Sequence, residues 1–77
     1  MARYYFHIRE GGVLERDIEG ADFACHEDAQ QEAMSSAREM VAEAVLRDEI
    51  IDGRAFEITA EDGTIIATVP FVSVIRF

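Results

Sequence analysis

Three side chains in this 77-residue sequence are of types that can act as a general base, a nucleophile or a metal ligand: His7, Cys25 and His26. His7 stands between Tyr5 and Arg9. A general base needs a polarised partner within hydrogen-bond reach; Tyr5 and Thr68 could serve if the strand order brings them close, but a surface or interface histidine is the stronger reading. Cys25 and His26 are chain neighbours at the start of a helical pattern, where a thiolate gains from the helix N-terminus. Adjacent residues seldom form a working Cys–His pair, however, and Glu27 and Asp28 place negative charge where the thiolate would form. One cysteine and two histidines also lack a fourth zinc ligand and the usual ligand spacing. The acidic turns Asp17-Ile18-Glu19-Gly20 and Glu61-Asp62-Gly63 are too short and unpatterned to gather the six or more oxygens that calcium takes. There is no P-loop, dinucleotide-binding fingerprint or nucleophile elbow. No catalytic, cofactor-binding or metal site is therefore assigned, and the chain is expected not to be an enzyme.

Composition narrows the partners. Seven basic residues, all arginine, against sixteen acidic ones give 7 − 16 = −9. This charge disfavours nucleic acid, which requires neutralised phosphates, and an anionic membrane surface. With 49% apolar and 30% charged residues the composition is that of a globular domain, and the length predicts one domain over residues 1–77. A single cysteine forms no disulfide within the chain. The N-terminal stretch shows no basic segment followed by an apolar one, and no apolar run is long enough to span a bilayer. The expectation is a cytoplasmic protein.

Positioning begins with a strand over Arg3 to Arg9, in which Tyr4, Phe6 and Ile8 face one way and Tyr5, His7 and Arg9 the other. Gly11-Gly12 predicts a hairpin turn, Val13 to Arg16 a short returning strand, and Asp17 to Gly20 a second turn. Ala21 to Phe23 continues the strand or leads into the helix. From His26 to Arg47 no glycine or proline occurs and good helix formers dominate. Ala29, Ala33, Met34, Ala37, Met40, Val41, Ala44 and Val45 share a stripe, with Leu46 on the polar side. Cys25 or His26 makes a poor N-cap, and Glu43 and Arg47 form a favourable i,i+4 pair. Asp52-Gly53 signals the next turn. Phe56 and Ile58 then point inward from a strand over Ala55 to Ala60, and Glu61-Asp62-Gly63 turns the chain into Thr64 to Phe71. In that last strand Ile65, Ala67, Val69 and Phe71 are expected on one face, and Ile66 and Thr68 on the other. Pro70 marks an end, an edge or a bulge.

The order is β-β-α-β-β, which predicts an α+β two-layer sandwich: one long helix on an antiparallel sheet of about four strands. The apolar end Phe71 to Phe77 is either a further strand packed on its own domain or an arm that contributes to a homodimer.

Several of these features come together in Arg3-Tyr4-Tyr5-Phe6-His7, Asp17-x-Glu19-Gly20, the alanine-spaced helix, Asp52-Gly53-Arg54-x-Phe56-Glu57, Glu61-Asp62-Gly63 and Val69-Pro70-Phe71. In them the chain resembles, nearly to Phe71, a family of short bacterial proteins frequent in rhizobia and related alphaproteobacteria, catalogued as a domain of unknown function. The resemblance implies the same small α+β fold and a bacterial cytoplasm, and an aspartate where this chain has Cys25. It carries over no activity or ligand.

Two functions follow as expectations. The first is a non-enzymatic protein-interaction module that self-associates as a homodimer, with Tyr5, His7, Ile66, Phe71, Val72, Val74, Ile75 and Phe77 as candidate interface. The alternative is an acidic, antitoxin-like regulator that binds a basic protein partner. Neither needs a cofactor.

Overall fold

Alternation of apolar and polar residues makes the first nine-residue strand, β1 (Ala2–Glu10), the organiser of the sheet. The computed structural model describes residues 1–51 and 53–75. After β1 come β2 (Val13–Glu15), β3 (Ala21–Phe23), the helix α1 (His26–Leu46), β4 (Arg54–Ala60), β5 (Ile65–Pro70) and a 3₁₀ turn over Phe71–Val74. All strand pairs are antiparallel, in the order β2-β1-β4-β5, and β3 also pairs with β1. The expected helix on an antiparallel sheet of about four strands is thus present, an α+β fold in which the described residues form a path of four strands plus the short β3.

The fifth strand arises because the partner of β1 is broken. β2 pairs with Ile8 to Glu10, and β3 with Ala2 to Tyr4. The segment between them, residues 16–20, leaves the ladder opposite the middle of β1. Ala21 to Phe23 is therefore a strand in its own right and not a lead into the helix.

α1 buries Ala29, Ala33, Ala37, Val41 and Ala44, and they meet Tyr4, Phe56, Ile58, Val69 and Phe71 in the core. Small alanine side chains bring the helix close to the aromatic residues of the core, where Phe56 of the sheet and Phe71 of the 3₁₀ turn pack tilted at 51° with 5.0 Å between ring centroids. Val45, at the margin of the stripe, is exposed, as is Leu46. The N-cap is weak as expected: Cys25 has the extended backbone of a cap, but its side chain makes no capping hydrogen bond. The C-terminus closes with a Schellman pair, Glu49 N–H to the Ala44 carbonyl at 2.8 Å and Asp48 N–H to the Val45 carbonyl at 3.1 Å. Asp48 takes the left-handed position at φ 58°, which aspartate tolerates better than most residues. The expected Glu43–Arg47 pair is present at 3.7 Å, and Asp52 of the predicted Asp52-Gly53 turn lies outside the described residues.

Two expectations for the C-terminal segment need correction. A β-bulge interrupts the β4–β5 ladder, so that Ile58 pairs with Ala67 but the next residue, Thr59, pairs with Ile65. The extra residue, Ile66, reverses the alternation: Ile66 packs against the core, and Ile65 turns to the outer face. Ile66 is thus not on the face away from the helix. The second correction concerns the end of the chain. Pro70 terminates β5, and the chain turns into the 3₁₀ helix instead of a further strand. Phe71 is 1% exposed in the core, Val74 and Ile75 pack half-buried beside it, and Val72 stays 47% exposed.

Candidate functional site

The helix covers one face of the sheet, and among the described residues the other face has no covering layer. Three cross-strand rows line up there by register. Arg9 lies opposite Ala55, His7 opposite Glu57 and Thr68 beyond it, and Tyr5 opposite Thr59 and then Ile65. Leu14, paired with Arg9 across the Gly11-Gly12 hairpin, shares this face. A groove of about 630 Å³ runs along the Tyr5 row. Its floor is Tyr5, His7 and Thr59. One wall is Leu14, Arg16, Asp17 and Ile18, and the other is Ala60, Glu61, Gly63 and Ile65.

Asp17 builds the first wall. Its Oδ2 accepts the Phe6 N–H at 3.1 Å, which replaces the missing strand partner of β1, and its Oδ1 accepts the N–H groups of Gly20 at 3.2 Å and Glu19 at 3.3 Å. Burial by itself raises the Asp17 pKa. The N–H groups of Phe6, Gly20 and Glu19, with His7 nearby, outweigh that and hold the carboxyl below its ordinary value. The same residue fixes the histidine: Asp17 N–H donates to His7 Nδ1 at 3.0 Å. His7 is then an acceptor at Nδ1, and in the neutral ring the proton sits on Nε2. Tyr5 stacks on the imidazole at 6.0 Å and 16°.

Gly20 completes the corner. It sits at φ +69°, and a Cβ there would lie 2.8 Å from the Tyr4 carbonyl and 2.9 Å from the Tyr5 ring. Beyond the groove, Arg9 Nε holds the Glu57 carboxylate at 3.0 Å. On the far side the turn is set by Asp62, whose Oδ1 accepts the Thr64 N–H at 2.9 Å and whose pKa is lowered by that bond.

Chemically, the face sets apolar side chains beside polar groups that are already engaged. His7 touches backbone N–H and an aromatic ring, and Glu57 is engaged by Arg9. Among the described residues no group of three His, Cys, Asp or Glu side chains is placed to hold a metal, and no helix is long and apolar enough to cross a membrane.

Of the eight interface candidates, Tyr5 and His7 come together in the groove. Ile66, Phe71, Val74 and Ile75 belong to the helix side, Val72 is exposed on the 3₁₀ turn, and Phe77 lies outside the described residues. Sequence reasoning missed Leu14, Arg16, Asp17, Ile18, Glu61 and Ile65. Two signals were present. The two-residue turn sets Leu14 opposite Arg9 by parity, and Ile18 is an isolated apolar residue inside an acidic turn, now 86% exposed.

No curated protein and no solved structure matches the chain. A family model described as a domain of unknown function, DUF6894, matches residues 3–72. That span takes in the sheet, the Asp17 corner and the helix, and the chain is a member of the DUF6894 family.

Proposed function

We propose that this domain is a non-enzymatic interaction module that self-associates through the open face of its sheet. The observation that carries this reading is the uncovered face itself: an aromatic and aliphatic groove of Tyr5, Leu14, Ile18 and Ile65 on a domain of only 77 residues. Chains of this size gain little from one core and commonly draw stability from a partner. A standard interface takes about 800 Å² from each protomer, a modest share of the 5259 Å² available.

Charge distribution supports the same face. α1 carries Glu27, Asp28, Glu32, Glu39 and Glu43 against Arg38, or 1 − 5 = −4. The outer face and groove walls set Arg9 and Arg16 against Glu57, Asp17 and Glu61. Two copies with a formal charge of −9 each repel least when their helices point apart.

Light scattering after size exclusion tests the proposal on the full chain at tens of micromolar. The expected result is a dimer that Ile65→Asp converts to monomer and Leu46→Asp, on the exposed helix end, leaves intact. A strictly monomeric wild type refutes the proposal, as does a dimer broken by Leu46→Asp and not by Ile65→Asp.

The acidic outer side of α1 supports a second reading, a regulator that binds a basic protein through the helix. Its mark is a complex that weakens as salt rises and survives Ile65→Asp. If no basic partner is retained at low salt, this second reading fails.

A further inference from the structure

The groove carries Arg16 on one wall, beside an Asp17 carboxylate taken up by backbone N–H groups, and Glu61 on the other, and these charges bear on how two copies would meet. Along the row that runs from the 16–18 segment through Tyr5 and Thr59 to Ile65, the first wall carries Arg16 and Ile18, and the second carries Glu61 and Ile65. Arg16 makes no ion pair among the described residues, unlike Arg3, Arg9, Arg47 and Arg54. Glu61 is likewise in no ion pair among them. A closed dimer uses the same patch on both subunits, so that residue i meets j and j meets i.

The edges of the sheet offer no competing route. The Phe6 N–H faces the β2–β3 side. Alternation then turns Phe56 and Ile58 toward β5, and Thr68 and Pro70 toward the open edge. In the regular stretch from Ala67 to Pro70 that edge presents the Thr68 N–H alone, because Pro70 has none. The bulge at Ile66 disturbs the remainder. On the other side, β2 and β3 are three residues each. An edge-to-edge dimer would have too few backbone hydrogen bonds to hold it.

Resting on the self-association proposed above, the geometry points to a two-fold dimer in which the outer faces meet and Arg16 of each copy pairs with Glu61 of the other. The two-fold axis lies in the plane between the two faces, over Tyr5 and Thr59 and along the strands, and Ile18 of one copy packs on Ile65 of the second. The groove is thus covered by the same face of a second copy of this chain, and the Arg16–Glu61 contact occurs twice, once at each end.

Charge exchange tests this arrangement. Sedimentation equilibrium on the full chain measures the dimer dissociation constant of wild type, Arg16→Glu, Glu61→Arg and the double variant, with circular dichroism to check folding. Each single reversal creates two like-charge contacts, and roughly tenfold weaker association is expected. The double variant restores opposite charges and is expected within about threefold of wild type, the scatter typical of additivity measurements. Losses that multiply in the double variant, or single reversals without effect, overturn the exchanged pairing. If Ile65→Asp still dissociates the dimer in that case, the face stands and only the pairing falls. A wild type that is monomeric throughout overturns both.

Discussion

Removing the Asp17 carboxylate is expected to loosen the whole outer edge of the sheet. In Asp17→Ala the N–H groups of Phe6, Gly20 and Glu19 lose their acceptor at once. Hydrogen bonds to a charged group contribute about 1.5–3 kcal/mol each when partly buried. The Glu19 bond is exposed and long, so it contributes little; the Phe6 and Gly20 bonds are partly buried. Water reaches the vacated site and re-solvates part of what is lost. A net destabilisation of about 2–3 kcal/mol follows, against a total of about 4–12 kcal/mol for 77 residues. For a domain of this size 1 kcal/mol moves the melting temperature by about 4–8 °C, so a fall of at least 8 °C is expected. Asp17→Asn keeps the shape and one acceptor oxygen, and it should lose about half as much. The acid limb distinguishes a charge effect from a packing effect. A carboxyl whose pKa is lowered in the fold stabilises above its unfolded value, near 3.8, and that contribution disappears as pH falls through the lower folded value. Wild type therefore loses stability below about pH 4, and Asp17→Asn should have a shallower acid limb. Differential scanning fluorimetry from pH 7 to pH 2.5 measures both. An Asp17→Ala melting point within 2 °C of wild type would refute the reasoning.

Four further substitutions probe the elements around the groove. Gly20→Ala meets both a positive φ and contacts of 2.8–2.9 Å with Tyr4 and Tyr5, so a loss of about 2–4 kcal/mol is expected. Gly63→Ala, at φ +89° with nothing within 4 Å, should lose only about 1–2 kcal/mol; equal urea midpoints for the two would contradict the close approach. Cys25→Ser places a hydroxyl where the helix cap has no side-chain hydrogen bond, and a gain of about 0.5–1 kcal/mol in thermal unfolding is expected. Ala33→Leu forces a large side chain into a fully buried contact between α1 and the sheet. Urea denaturation should show a loss of about 1–3 kcal/mol, and a stabilised variant would mean that the alanine stripe is not tightly packed.

Local pattern was sufficient for most of the architecture. Period-two alternation in Tyr4, Phe6 and Ile8, and in Phe56 and Ile58, identified strands and their inward faces, because a half-buried strand has little freedom to do otherwise. The alanine stripe identified the helix and its buried side. What escaped depended on contacts distant in sequence. The broken partner of β1 is made by an aspartate that caps a strand eleven residues away, and no propensity encodes that. The bulge at Ile66 has no signature within β5, since Ile65 and Ile66 are equally apolar and only the pairing with Thr59 decides which one turns inward. The same limit applied to the candidate surface. Tyr5 and His7 were legible by alternation on β1, whereas Arg16, Ile18 and Glu61 join them only once the strand order brings two turns onto one row.

That strand order also explains why the outer face, and not an edge, is the surface to test. A small open sheet has two liabilities, its unpaired edges and its uncovered face. Here the first is handled twice over: Pro70 and the bulge disrupt β5, and the Asp17 corner divides the opposite edge into two short pieces. The uncovered face is treated differently. Ile65 and Ile18 stay exposed, His7 beneath them accepts the Asp17 N–H with Tyr5 stacked on its ring, and the arginine at one wall is left without an ion pair among the described residues. A face that needed only to be soluble would carry polar residues at positions 18 and 65 without disturbing any contact of the core. Apolar side chains there, over a floor in which His7 and Thr59 are held by hydrogen bonds, are what the proposed self-association through this face requires.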